Sequence, residues 1–199
     1  MFKPQDHYFK KAKQEGFKAR SAFKLEEIDE KYKLFDNYTR TILDIGCAPG
    51  SWLQFAHKQL VEKRVPNFKV IGFDLKAVNL NLDGVHTYEQ DITDLVKIDE
   101  ILNSHNITKF DMIISDMAPN TIGLKDIDAI RSIGLLEKTL PIYEKFLKPD
   151  GKFCIKIFMG PGFDQFVATL KKMYGGKGMK IFKPQATRKA SKETYIIRY

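Results

Sequence analysis

Cysteine is nearly missing. Cys47 and Cys154 are the only two in 199 residues, too few and too far apart for a disulfide framework or a zinc site, so reduced thiols are expected. The four histidines, His7, His57, His86 and His105, fall in no ligand-like spacing, and no metal is assigned. No apolar run approaches the ~20 residues of a membrane-spanning helix, and the opening MFKPQDHYFKKAK carries charge without an apolar export stretch. The expectation is a soluble, cytoplasmic protein with no membrane partner. Repeats, Gly/Ser linkers and low-complexity tracts are also lacking, so the chain reads as one continuous unit. The GxGxxG fingerprint is absent as well, which disfavours a nucleotide-dependent oxidoreductase.

What is present is an ordinary globular profile: 43% hydrophobic, 12% aromatic and 29% charged residues, enough to bury a core. The length suits a single domain over residues 1–199, with a basic lead and helix over 1–40 and a core over 41–199. The net charge of +8 is unevenly placed: residues 1–24 carry +5, residues 25–170 carry −5 and residues 171–199 carry +8. The two ends hold all of the excess, as a surface for a polyanion such as nucleic acid would, although a merely solubilising surface has the same signature.

Along the chain, short β-branched or aromatic runs alternate with helical patterns. Strands are predicted at 41–46, 68–74, 85–90, 110–115, 152–158, 179–182 and 194–199. Helices are predicted at 21–32, opened by Ser21, and at 51–63, 93–105, 126–147 and 162–174. Pro141 should kink or split the longest of them, because a mid-helix proline removes a backbone donor. This alternation predicts a doubly wound, mostly parallel α/β sheet of seven strands, with the last two forming an antiparallel edge hairpin.

Open α/β sheets bind ligands at the carboxyl ends of their strands. The first strand runs into DIGCAPGSW (44–52), where Gly46 and Gly50 permit a tight turn and close backbone approach. Asp74 ends the second strand in IGFD, where a carboxylate can accept bonds from ribose hydroxyls, and Asp91 follows the third, within reach of an exocyclic amine. By itself Asp74 fits any adenosine cofactor, and Asp91 is equally readable as an exposed turn residue. The fourth strand delivers SDMAPN (115–120) with Asp116. Lys156 stands in the apolar run CIKIF, so it either faces solvent at an edge or points into a site beside a carboxylate, and a central strand favours the site. Partly desolvated there, it could act as a base or orient a hydroxyl.

These segments together resemble the FtsJ/RrmJ (RlmE) family of S-adenosylmethionine-dependent ribosomal RNA 2′-O-ribose methyltransferases. The likeness spans nearly the whole chain: ARSAFKLEEID (19–29), LDIGCAPGSW (43–52), Asp74, SDMAPN (115–120), the KIF at Lys156, GFDQF (162–166) and KPQATRKASKETYII (183–197). It implies a Rossmann-like methyltransferase fold and a Lys-Asp-Lys-Glu catalytic tetrad at Lys24, Asp116, Lys156 and Glu193. It also implies S-adenosylmethionine as cofactor, bound by Gly50, Trp52, Asp74, Asp91 and Asp116. The implied substrate is a ribose 2′-hydroxyl in RNA, a uridine of the large-subunit ribosomal RNA within the assembled subunit, and the expected state is a monomer. On residue type alone, Lys24 reads as a solvated helix residue and Glu193 as an edge-strand acid.

The chain departs from the family pattern at Ser51, where a second glycine is common, at Gln90, and in KAVNLNLDG (76–84), which touches the adenine side of the site and not the tetrad. A tRNA ribose methyltransferase would share SAFKL and APGSW, and the short chain leans toward the ribosomal type. A catalytically inactive RNA-binding module of the same fold is the rival from another class, and the intact tetrad speaks against it.

Overall fold

A computed structural model describes residues 7–199, so the first six residues of the basic lead, Lys3 included, lie outside the described residues. The strands are β1 (Thr41–Ile45), β2 (Lys69–Asp74), β3 (Val85–Glu89), β4 (Phe110–Ser115), β5 (Leu147–Phe158), β6 (Met179–Phe182) and β7 (Glu193–Arg198). They form one sheet in the order β3-β2-β1-β4-β5-β7-β6. The first five are mutually parallel, and β7 runs antiparallel to both β5 and β6. The helices are α1 (His7–Gln14), α2 (Ala22–Tyr32), α3 (Ser51–Glu62), α4 (Leu95–Ser104), α5 (Lys125–Phe146) and α6 (Phe163–Tyr174). This is the expected doubly wound α/β architecture with a mostly parallel sheet.

Both faces of the sheet are covered. Leu43, Ile45, Ile71, Phe73, Ile113, Phe153 and Ile155 join one core with Ile98 of α4, Tyr143 of α5 and Phe166 of α6. Ile42, Val70, Met112, Ile114, Cys154 and Ile197 join another with Leu25 and Ile28 of α2 and Trp52 and Phe55 of α3. Alternate residues of one strand thus serve different cores, as a sheet sandwiched between helices requires.

The last two strands form the expected antiparallel hairpin at the sheet edge, with β7 on its inner side, between β5 and the edge strand β6. Burial explains this: Thr194 to Ile197 are all buried, whereas in β6 only Met179 is. Glu193 therefore sits on an interior strand. Several other elements differ from the sequence expectation. Pro141 does not split α5, which runs unbroken through it. Pro141 and Glu137 are both exposed, so the carbonyl that loses its amide donor stays within reach of water. The start of β5 lies five residues before the expected one, because Lys148-Pro149-Asp150-Gly151 reads as a turn; the extra residues are absorbed by a register break opposite Phe110 and Met112. Ser21 does not cap α2 with its side chain.

The short α1, unanticipated because HYFKKAKQ buries only Ala12, is held from outside. The rings of Tyr8 and Phe17 pack at 5.7 Å from that of Phe23, and Lys11 Nζ lies 4.2 Å over the same ring. The two basic ends of the chain meet: Arg20 donates to the Ala186 carbonyl at 3.2 Å, and the Glu27 carboxylate accepts from the Gln185 and Ala186 amides. Among the described residues no helix is long and apolar enough to cross a membrane.

Candidate active site

The turn after β1 is shaped by its glycines. Gly46 has φ 74° and Gly50 φ 107°, and a Cβ on either would lie about 2.5 Å from Met117 Cβ or 2.4 Å from Leu80 Cδ1. Asp74 anchors this turn, since its Oδ2 accepts from the Ala48 amide and its Oδ1 from the Lys76 amide, each at 2.9 Å. Asp91 Oδ1 accepts from both the amide and the hydroxyl of Thr93 at 2.8 Å, and these bonds hold its carboxyl below the usual range. Around these strand ends lies a cavity of about 620 Å³, into which Gly46, Asp74, Asp91, Asp116 and Met117 open, with Phe73, Ile92 and Leu135 as apolar walls.

Of the residues expected at a cofactor, Asp74, Asp91 and Asp116 line this cavity, while Gly50 and Trp52 do not. Gly50 opens α3 in a left-handed conformation. Trp52 is buried; its Nε1 donates to the Ser21 carbonyl at 2.9 Å and its ring lies 5.8 Å from that of Tyr195. The Ser21 and Ser51 hydroxyls pair at 2.8 Å, so the two serines and Trp52 tie α2 to α3.

Beside the cavity stands a buried charge cluster that shares Asp116 with it. Lys156 is 7% exposed; its Nζ lies 3.0 Å from Asp116 Oδ1 and also donates to the Asp116 carbonyl. The edge alternative for Lys156 is thereby removed. Lys24 is likewise 8% exposed, with Nζ 2.6 Å from Glu193 Oε1 and 3.7 Å from Asp116 Oδ1. Two lysines and two acids make a balanced set, and burial of charge is tolerable only when it is so paired. The four residues come from α2, the loop after β4, β5 and β7.

Sequence reasoning missed two members of this region. Tyr195, fully buried, has its hydroxyl 2.8 Å from both Asp116 Oδ1 and Glu193 Oε1, and burial followed by those two acids pushes its phenol well up. Its position two residues after Glu193 on one strand places both on one face, a signal that alternation could have supplied. The other is Asp44, an acid inside the apolar run ILDI, buried with no partner for either oxygen among the described residues. Burial, then Asp116 and Asp74, raise its carboxyl well above the ordinary range.

Residues 17–199, which include every one of these groups, match the family described as FtsJ-like methyltransferase. The chain belongs to that family. It is 41% identical over 197 residues to the ribosomal RNA large subunit methyltransferase E of Bdellovibrio bacteriovorus, covering 98% of this chain and 96% of that one. The protein of the same name from Desulfatibacillum aliphaticivorans is 41% identical over 196 residues, 97% of this chain and 89% of the relative. Among solved structures, a Plasmodium falciparum chain described as a ribosomal RNA methyltransferase superposes with a TM-score of 0.76 at 28% identity, covering 92% of this chain and 97% of its own. Human methyltransferase-like protein 13, solved with SAH, shares the fold at a TM-score of 0.61 and 14% identity, over 89% of this chain and 81% of that one.

FtsJ-like methyltransferases use S-adenosylmethionine, and the cavity fits it. Its volume of about 620 Å³ falls within the roughly 300–1,000 Å³ usual for small-molecule sites, and it combines apolar walls with three carboxylates able to accept from hydroxyls and amines.

Proposed function

We propose that this chain transfers a methyl group to a ribose 2′-hydroxyl of large-subunit ribosomal RNA, at a uridine in the assembled subunit, acting as a cytoplasmic monomer whose 199 residues work as one catalytic domain. The observation that carries this reading is Asp116, one residue that borders the cofactor-sized cavity and also holds the buried pair of lysines. S-adenosylmethionine, when bound, supplies an already activated methyl group. The chain's own tasks are to align one hydroxyl and to take one proton.

Lys156, anchored on Asp116 through both a carboxylate oxygen and the backbone carbonyl, is the group that orients the hydroxyl and, in its neutral amine form, receives its proton. Lys24 shares the carboxylates of Asp116 and Glu193, so Lys156 is not their only cation. Glu193 and Lys24 fix the ribose, and Tyr195 keeps the two carboxylates at a set separation. Asp74 and Asp91 take the ribose and adenine ends of the cofactor. The joined basic ends supply a surface for phosphates, with Arg188 and Lys189 on one side and Lys18 and Arg20 on the other.

Mass spectrometry of ribosomal RNA from cells with and without this protein tests the reading. One 2′-O-methyluridine of the large-subunit RNA should disappear in its absence. Loss of a methylated tRNA nucleotide instead would overturn the substrate, and an unchanged methylation pattern would overturn the activity.

A further inference from the structure

Asp44 has no part in the roles above, yet among the described residues it is the one carboxylate with both oxygens buried and without a hydrogen bond. It lies on β1 at the centre of the sheet, opposite Gly72 of β2 and Ile114 of β4. Two residues beyond those partners stand Asp74 and Asp116, the acids that line the cavity. Both press on Asp44 electrostatically. It therefore sits beneath the cofactor site, out of reach of contact but within its field.

The groups around it are these. The turn after β1 presents Cys47, whose thiol is pushed up by burial and then by Asp44 and Asp74. From α5, Tyr143 offers a hydroxyl that is itself buried and unpaired. The buried residues of α3 are Ser51, Trp52, Leu53, Phe55, Ala56 and Leu60, none of them charged. The buried charges of α2 are Lys24, engaged by Glu193, and Asp29, which accepts from the Phe35 amide at 2.9 Å. On β5, Lys156 is engaged by Asp116, and Cys154 is a buried thiol. No cation among the described residues lies within ion-pair distance of Asp44. A charge so placed is strongly disfavoured, and the group takes a proton instead.

We infer that Asp44 is a neutral acid in the free protein and releases its proton when a cation seats beside Asp74 and Asp116, so that the site separates the sulfonium cofactor from its uncharged thioether product by charge. This rests on the S-adenosylmethionine reading above. The two ligands share their adenosine and amino-acid parts and differ by a methyl group and one fixed positive charge. In a water-poor interior a charge is felt over several ångströms. A sulfonium therefore stabilises ionised Asp44, whereas the thioether leaves the proton in place. The sign follows from linkage: because the sulfonium expels a proton, its affinity rises with pH, by up to about tenfold per pH unit for one proton released. The affinity of the thioether, through this group, stays flat.

Calorimetric titration of the full chain, with S-adenosylmethionine and with S-adenosylhomocysteine, in buffers of different ionisation enthalpy, counts the protons. S-adenosylmethionine should release more than S-adenosylhomocysteine, by up to one, and Asp44→Asn should abolish the difference. Infrared difference spectra of the unsubstituted protein, which need no variant to fold, should lose the carbonyl stretch of a protonated carboxylic acid on adding the sulfonium and keep it with the thioether. Equal proton counts, or a difference that survives Asp44→Asn in a folded variant, overturn the inference and leave the cofactor reading standing. Failure of both ligands to bind overturns the cofactor reading and the inference with it.

Discussion

Lys156 and Tyr195 are cross-strand partners in the β5–β7 ladder, and both reach the same atom, Asp116 Oδ1, at 3.0 and 2.8 Å. The ladder register fixes Lys156 relative to Tyr195, while Asp116 comes from the loop after β4 and Lys24 from α2.

Lys156→Ala should lower the single-turnover methylation rate by ~10²–10⁴-fold, while cofactor affinity measured by calorimetry changes little, since Asp74 and Asp91 are untouched. Lys156→Arg keeps the charge but cannot accept a proton, its pKa staying above ~12. A nearly dead arginine variant supports proton acceptance by Lys156; an active one assigns it an electrostatic role. A wild-type rate in the alanine variant would make Lys156 purely structural.

Tyr195→Phe deletes a hydroxyl with two carboxylate acceptors. The expected loss is roughly 1.5–3 kcal/mol of stability, the usual size for a bond to a charged group, read as a lower urea midpoint at unchanged slope. An unchanged midpoint would show that Lys24 and Lys156 alone hold Asp116 and Glu193.

Asp74→Ala should weaken S-adenosylmethionine binding by about ten- to a hundredfold, through loss of charge-assisted hydrogen bonds. It also strips the Ala48 amide of its acceptor, whereas Asp74→Asn keeps an oxygen there. Calorimetry on both variants separates the two effects: binding restored by asparagine points to turn geometry, and binding lost in both points to the charge.

Affinity for RNA should fall with salt, and substitution of Lys18, Arg188 and Lys189 by glutamine should flatten that slope by roughly 0.7 for each phosphate no longer neutralised. Lys11 and Lys192 serve as controls, because each is held by an acid at 3.2 Å, Glu26 and Asp126. A slope that ignores the first set, measured by filter binding, would reduce the basic ends to a solubilising role.

Burial alone would raise the Asp111 carboxyl, but hydrogen bonds from Lys148 and from the Thr41 and Arg40 amides outweigh it and hold it below the usual range. Its contribution to stability is then complete above the unfolded value of ~3.9 and disappears as pH falls through the lower folded one. Asp111→Asn should flatten the acid limb of stability against pH in urea melts, and a limb of unchanged steepness would place the acid sensitivity elsewhere.

Much of this was legible in the sequence, and the exceptions share physical causes. Strands such as ILDI and KVIGFD announce themselves because burial on both faces leaves nearly continuous apolar runs. Lys156 was readable for the converse reason, a cation where none belongs. Lys24 was readable only through the family resemblance, since a helix residue shows its burial only once β7 is placed against it. The interior position of β7 is a fact of non-local pairing that no window of TYIIRY contains. Helix α1 escaped because aromatic rings from elsewhere hold it, and Pro141 misled because its cost depends on which way the orphaned carbonyl faces. Asp44 stood in the first strand's motif and passed unnoticed, because an acid two residues before a glycine turn reads as part of that turn until its burial is known.

The 2.6 Å contact between Lys24 and Glu193 joins the second helix to the last strand across almost the entire chain. Contacts of such sequence separation carry the largest loop-closure cost and form late in folding. A refolding chain should then regain its sheet signal by circular dichroism before it regains any ability to methylate. A chain in which β1, β2, β3, β4 and β5 have paired but β7 has not inserted lacks Glu193 and Tyr195 beside Lys24 and Asp116 and should not methylate, so activity should report the completion of folding.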